Sequence, residues 1–195
     1  DSALLLFNSI NEESLSEVAF AQKCMLAGKI TDKLYQAIIP THHYERAHHW
    51  FSGHGTPQEQ SLILLYLGRS YAEDGEYNHA MAPYTKGMNI EEQYSLFDIS
   101  GLINSYMGDL YESKGMIELA IDKYKTAADL FLKDSNKKSY ACALRDCGRS
   151  YARIDSIEKA INILLQADSI GNEIDNPNVK ASIANTIAGT YLLSS

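Results

Sequence analysis

Leu67-Gly68-Arg69-Ser70-Tyr71, Met107-Gly108-Asp109-Leu110-Tyr111, Cys147-Gly148-Arg149-Ser150-Tyr151 and Ile187-Ala188-Gly189-Thr190-Tyr191 are four copies of one pattern, set 40 residues apart. A fixed period of that length is the signature of stacked helical hairpins. The small residue and the Tyr keep their places in all four. Gly28 carries the small residue one period upstream, with Thr31 where the Tyr would stand.

Each of the first three copies has a second half at fixed offsets. Gly75, Ala80, Tyr84 and Gly87 follow Gly68; Gly115, Ala120, Tyr124 and Ala127 follow Gly108; Asp155, Ala160, Leu164 and Ala167 follow Gly148. Apolar and small residues fall three or four apart, as in Leu64, Leu67, Tyr71 and in Ala120, Tyr124, Ala127, which is the period of a helix and not of a strand. Two amphipathic helices per repeat are predicted. Their small residues mark close crossings and their aromatic residues fill the gaps beside them.

This arrangement resembles the tetratricopeptide repeat, where a small residue and a Tyr on one helix meet an Ala, an aromatic and a second Ala on the next. The resemblance runs from Gly53 to the end. Two departures stand out: Glu92, Leu132 and Asn172 replace the Pro that often closes that family's repeat, and the period exceeds the family's usual length of about 34 residues. The resemblance implies an all-α fold, a right-handed superhelical solenoid of antiparallel helix pairs with about ten helices and no strands.

Boundary signals agree with this reading. Thr56-Pro57-Gln58-Glu59 supplies an N-cap, a Pro in the first helical position and a Glu that completes a capping box. Ser14-Leu15-Ser16-Glu17 and Asp155-Ser156-Ile157-Glu158 read the same way, and Asn176-Pro177 starts the last helix. The N-terminal third is looser: a helix from about Leu15 to Tyr35, a connection around Pro40, and a shorter helix holding Ala47 and Phe51. Ala3, Phe7 and Ile10 read as the second helix of an incomplete repeat. The expected organisation is one repeat domain over 1–195: an incomplete repeat at 1–13, a divergent one at 15–54, clear repeats at 61–94, 101–134 and 141–174, and a half repeat at 181–195. A chain that begins and ends in mid-repeat is expected to be part of something longer.

A net charge of -8 and a pI near 5.2 lack the basic excess that a nucleic-acid or anionic-membrane surface needs, so neither partner is expected. The longest apolar run, Leu62 to Leu67, is far short of the roughly 18 residues of a membrane span. Cys24, Cys142 and Cys147 form an odd set without metal-ligand spacing and read as buried free thiols. They leave the compartment open between cytoplasm and periplasm.

His42, His43, His48, His49 and His54 cluster around Glu45, and on a helix His42, Glu45 and His49 share a face. The reading favoured here is a wet helix face opposite a buried stripe of Tyr44, Ala47, Trp50 and Phe51, with no metal bound. No glycine-rich phosphate loop, nucleophile elbow or paired-cysteine motif is present, and neither enzymatic activity nor a cofactor is expected.

The resemblance also implies a groove along the first helices of the repeats. Its register selects Leu65, Arg69 and Glu73, then Ser105, Asp109 and Glu112, then Arg145, Arg149 and Arg153. The last three form a basic stripe able to hold a carboxylate or an acidic peptide bidentately, unless Asp146 and neighbouring acids neutralise it within the fold. The Asn-rich clamp that some family members use for a peptide C-terminus has no match, because Arg149 and Asp109 occupy its places. Two functions follow. One is a scaffold binding a peptide or partner segment in the groove, the docking or sensing part of a larger bacterial signalling or regulatory protein. The other is self-association or stacking through the unpaired terminal helices, motivated by Ile183, Ile187, Tyr191 and Leu192.

Overall fold

Helix crossings in this protein are set by glycines that leave no room for a side chain. A Cβ built on Gly68 would stand 2.5 Å from the ring of Tyr84, and one on Gly108 would stand 2.5 Å from the ring of Tyr124. Both tyrosines are fully buried. At Gly148 the same place is filled by Leu164, and at Gly28 by the ring of Tyr66. The repeat pattern is thus a packing rule: a missing side chain on one helix receives a large one from the next.

The computed structural model describes residues 2–34 and 39–193. Ten α-helices and no strand occur among them. The chain divides into two compact units, residues 1–95 and 96–195. The first holds α1 (Ser2–Asn8), a 3₁₀ turn (Glu12–Ser14), α2 (Glu17–Leu34), α3 (Thr41–His54), α4 (Pro57–Glu73) and α5 (Tyr77–Tyr94). The second holds α6 (Phe97–Ser113), α7 (Ile117–Lys133), α8 (Lys137–Arg153), α9 (Ile157–Glu173) and α10 (Pro177–Leu193). Consecutive helices pair as α2 with α3 and α4 with α5 in one unit, and as α6 with α7 and α8 with α9 in the other. The last helix, α10, packs on α8 and α9. No helix among the described residues is long and apolar enough to cross a membrane.

Turns repeat with the helices. Gly75 and Gly115 take φ of 78° and 74° between the two helices of their repeats, and Asp155 occupies the same register with φ 58°. Ser95 and Ser135, also one period apart, adopt φ 57° between one repeat and the next. A left-handed residue stops one helix and redirects the chain within a residue or two. Asp155 therefore does not cap α9 as expected: the helix begins at Ile157 after Ser156, whose side chain makes no capping bond. Ser14 belongs to the 3₁₀ turn, and the Ser16 hydroxyl accepts from the Ala19 amide at 3.3 Å. The other two caps form as read. Thr56 and Glu59 complete a reciprocal capping box, and Asn176 Oδ1 accepts from the Val179 amide at 3.1 Å.

Tyr35, the expected end of the long N-terminal helix, lies outside the described residues, as does the side chain of Ala3. Phe7 is buried beneath Lys23, while Ile10 is exposed. Cys24 and Cys147 are buried, and burial pushes their thiols up to about 12 and about 11; Cys142 is only half-buried. Ile183 of α10 is buried against α9 instead of lying in an open stripe, and Ile187 is half-buried against the same core. The large apolar residues exposed on α10 are Tyr191, Leu192 and Leu193.

Filling one of the crossings tests the packing rule. Gly108→Ala is expected to destabilise the protein by about 1–3 kcal/mol, the usual cost of overpacking. At Gly189 on α10 an added Cβ meets nothing within 4 Å, so Gly189→Ala should stabilise by about 0.5–1 kcal/mol through helix propensity alone. Urea unfolding of both variants reads the opposite signs.

Candidate functional site

Side chains of α6, α8 and α10 converge in the second unit on a cluster of charged groups. Three arginines one helical turn apart on α8 share a face, as their spacing of four requires. Two buried carboxylates serve them. Arg145 holds Asp146 through Nη2, 2.8 Å from each carboxylate oxygen, and its Nη1 donates to Ser182 Oγ on α10 at 2.8 Å. Arg149 donates to Asp146 Oδ1 and to Glu112 Oε2, both at 2.8 Å. Arg153 Nη1 reaches Glu112 Oε1 at 3.0 Å.

The α7 residue Tyr124 joins the cluster from below. Its hydroxyl donates to Asp109 Oδ1 at 2.6 Å and lies 3.2 Å from Glu112 Oε2. The ring that fills the gap at Gly108 therefore also carries the polar group beneath the acids. A buried Tyr needs such a partner, and burial together with Asp109 raises its pKa.

Burial pushes Glu112 up, but bonds from Arg149 and Arg153 outweigh it and hold the carboxyl below its ordinary range. Burial wins at Asp146, whose pKa is raised despite Arg145 and Arg149. Asp109 is pushed up to about 6, first by burial of the carboxyl and then by the like charges of Asp146 and Glu112, against the Tyr124 hydrogen bond and Arg149. The residue keeps an exposed edge, which limits how much that shift is worth in stability.

Beside the cluster, α8 and α10 enclose an open cleft of about 470 Å³. Arg149 and Arg153 line one wall, Ser182, Asn185 and Thr186 the other, with Gly189 at its floor and Leu193 at its end. Arg149 and Arg153 keep 39% and 48% of their side-chain surface open, so both still face the cleft while paired behind it.

The groove register selected from sequence is thus placed unevenly. Asp109, Glu112, Arg145, Arg149 and Arg153 come together, but Glu112 lies buried under the arginines and not on the surface; one period from Arg153, the register belongs to Ser113. Ser105 is half-buried nearby on α6. In the first unit Leu65 is wholly buried and lines no surface, because its whole helix segment Ile63–Ser70 is inside. Arg69 is buried too, clamped by Asp32 of α2 and by Glu73, whose Oε1 accepts from Arg69 Nε at 3.0 Å. Glu73 itself is exposed. Sequence reasoning missed Ser182, Asn185, Gly189 and Leu193. The 40-residue period finds three of them, since Asn185, Gly189 and Leu193 continue Arg145, Arg149 and Arg153.

The histidines do not converge. His43 Nε2 lies 3.6 Å from Glu12 and packs edge-on against Phe20; His54 stacks on Trp50; Glu45 accepts from the Tyr71 hydroxyl. No group of three metal-ligating side chains forms among the described residues. Tyr44, Ala47 and Phe51 are the buried stripe of α3, with Trp50 half-buried at its border.

No protein-family model matches the chain, and no curated protein is similar to it in sequence. Solved structures share its fold. BtubC (BKLC) from P. vanneervenii superimposes with a TM-score of 0.74 at 13% identity, over 99% of this chain and 80% of that one. A putative kinesin light chain from Podospora anserina, with nearly identical tetratricopeptide-like repeats, gives a TM-score of 0.66 at 12% identity over 91% and 84%. A signal transduction ATPase with numerous domains and a tetratricopeptide repeat sensor, from Pyrococcus horikoshii, gives 0.74 at 18% identity over 100% of this chain and 30% of that one. At these identities the likeness is one of fold: the chain is an all-α tetratricopeptide-like helical repeat.

The Asp109 carboxyl makes stability depend on pH. A carboxyl whose pKa is higher folded than unfolded favours the folded state below the unfolded value, near 4, and loses that contribution as pH rises through about 6. Asp109→Asn retains an oxygen for Tyr124 and removes the loss. It should raise stability at pH 8 by roughly 1 kcal/mol, discounted for the open edge, and leave it unchanged at pH 4. Thermal melts at both pH values measure the difference.

Proposed function

We propose that this protein is an interaction scaffold that takes an extended peptide or partner segment into the cleft between α8 and α10. The observation that supports this best is the pair Arg149 and Arg153, ordered from behind by Glu112 and still open in front. Their guanidinium groups reach the cleft without the rotamer entropy that free arginines lose on binding. Across from them Asn185 presents an amide with both donors and an acceptor, suited to a peptide backbone. Gly189 keeps the floor low.

The occupant carries a carboxylate placed for Arg153, the more open of the two. A polybasic partner is disfavoured in the cleft itself by the like charges of Arg149 and Arg153. No residue set in the cleft, among the described residues, puts a nucleophile beside a base, which supports binding as its role. The sensor role named for the Pyrococcus horikoshii neighbour makes a docking or sensing part of a larger regulatory protein the broader setting of this reading.

The second reading, association through the end of α10, rests on exposed Tyr191, Leu192 and Leu193. Both readings use the same helix, and one experiment separates them. Peptides selected from a display library on the unaltered protein should be enriched in Asp and Glu and should lose about tenfold or more in affinity, near 1.4 kcal/mol, in the variant Arg153→Gln, Asn185→Ala. Unaltered affinity would remove the cleft. Loss of self-association in Leu192→Ser, Leu193→Ser, with no peptide selected at all, would favour the second reading.

A further inference from the structure

A separate cleft of about 240 Å³ lies in the first unit, bounded by α3, α4 and α5. Its apolar surface comes from Leu64, Leu67 and Pro83, the last a proline in the middle of α5. Its polar lining is His48 on α3, Tyr71 on α4, and Asn78, His79 and Lys86 on α5. The cleft is unrelated to the groove register, and nothing about it depends on the peptide reading.

The protein around it decides how His48 is protonated. Its Nδ1 is sealed from solvent and has no hydrogen-bond partner. A proton there would be a buried, unmet donor costing about 1–3 kcal/mol. Burial, and then the charges of Lys86 and His49, lower the pKa of the ring and keep it neutral at neutral pH. A neutral imidazole carries a single N–H, so the hydrogen belongs on Nε2, and His48 offers the cleft a donor.

Lys86 is exposed, and no carboxylate among the described residues pairs with it. Two acids bond to residues of the cleft wall and not to Lys86: Glu45 accepts from the Tyr71 hydroxyl, and Glu76 lies 2.9 Å from His79 Nδ1. Two N–H donors, one of them cationic, thus stand beside apolar side chains. Such a combination is complementary to a single negative charge on an apolar body. One cation suits a carboxylate better than a phosphate dianion. The space equals about eight waters' share of the liquid, enough for a small molecule and too little for a run of peptide.

We propose that this cleft binds a small organic carboxylate, its carboxyl group between His48 Nε2–H and the Lys86 ammonium and its apolar body against Leu64, Leu67 and Pro83. Titration of the isotope-labelled protein with benzoate, followed by NMR at neutral pH, tests it. Benzoate should saturably shift the amides of Leu64, Leu67 and Ala82, and benzamide or inorganic phosphate should not at the same concentration. Lys86→Gln, a surface change whose spectrum reports an intact fold, should weaken benzoate by about tenfold. Imidazole nitrogen shifts should show His48 protonated at Nε2. The proposal is overturned if benzoate leaves these amides unmoved at tens of millimolar, if Lys86→Gln binds it equally, if phosphate binds as well, or if the His48 proton is on Nδ1.

Discussion

The close approach of helices at Gly68, Gly108 and Gly148 is the constraint on which the rest of the structure depends. An aromatic or Leu side chain from the next helix fills each vacancy, and the pair fixes both the distance between the helices and their register along one another. Tyr124 shows how far this reaches. Its ring is held by Gly108, and its hydroxyl is thereby delivered to Asp109 and Glu112. The polar cluster inherits its geometry from an apolar contact.

That cluster is a compromise between burial and charge. Asp146 and Glu112 are both removed from water, which costs more than most pairs return unless hydrogen bonds saturate the oxygens. Here Arg145, Arg149, Arg153, Tyr124 and the Ser150 hydroxyl supply those bonds. What remains unbalanced is Asp109, where the Tyr124 hydroxyl and the Arg149 charge do not offset burial and two like charges. The strain in the cluster is therefore concentrated on the one acid at its edge.

Much of the fold was legible because packing is periodic. In the first three copies the small residue at Gly68, Gly108 and Gly148 and the large one at Tyr84, Tyr124 and Leu164 recur every 40 residues, and each pair proved to be a crossing and its filler. Turn residues were less legible: Asp155 looked like a helix cap and is instead a left-handed turn residue, a role that Gly75 and Gly115 announce in the same register. The candidate site was legible in part. The spacing of Arg145, Arg149 and Arg153 showed a shared face, but whether that face was bare or neutralised depended on Glu112, which lies one residue off the period and reaches back under two arginines. Arg69 and Leu65 fell in the right register of the wrong environment, since packing against α2 buries what the period alone leaves open.

Glu112 ties the behaviour of two cations together. Arg149 and Arg153 share one carboxylate, Arg149 Nη2 on Oε2 and Arg153 Nη1 on Oε1, where Arg149 Nε also reaches at 3.4 Å, so drawing one of them outward leaves the other with a less contested counter-ion. The pair acts as a balance with a single pivot. On the function proposed above, an anion drawn to Arg153 would leave Glu112 to Arg149, so the cleft would favour one carboxylate over two.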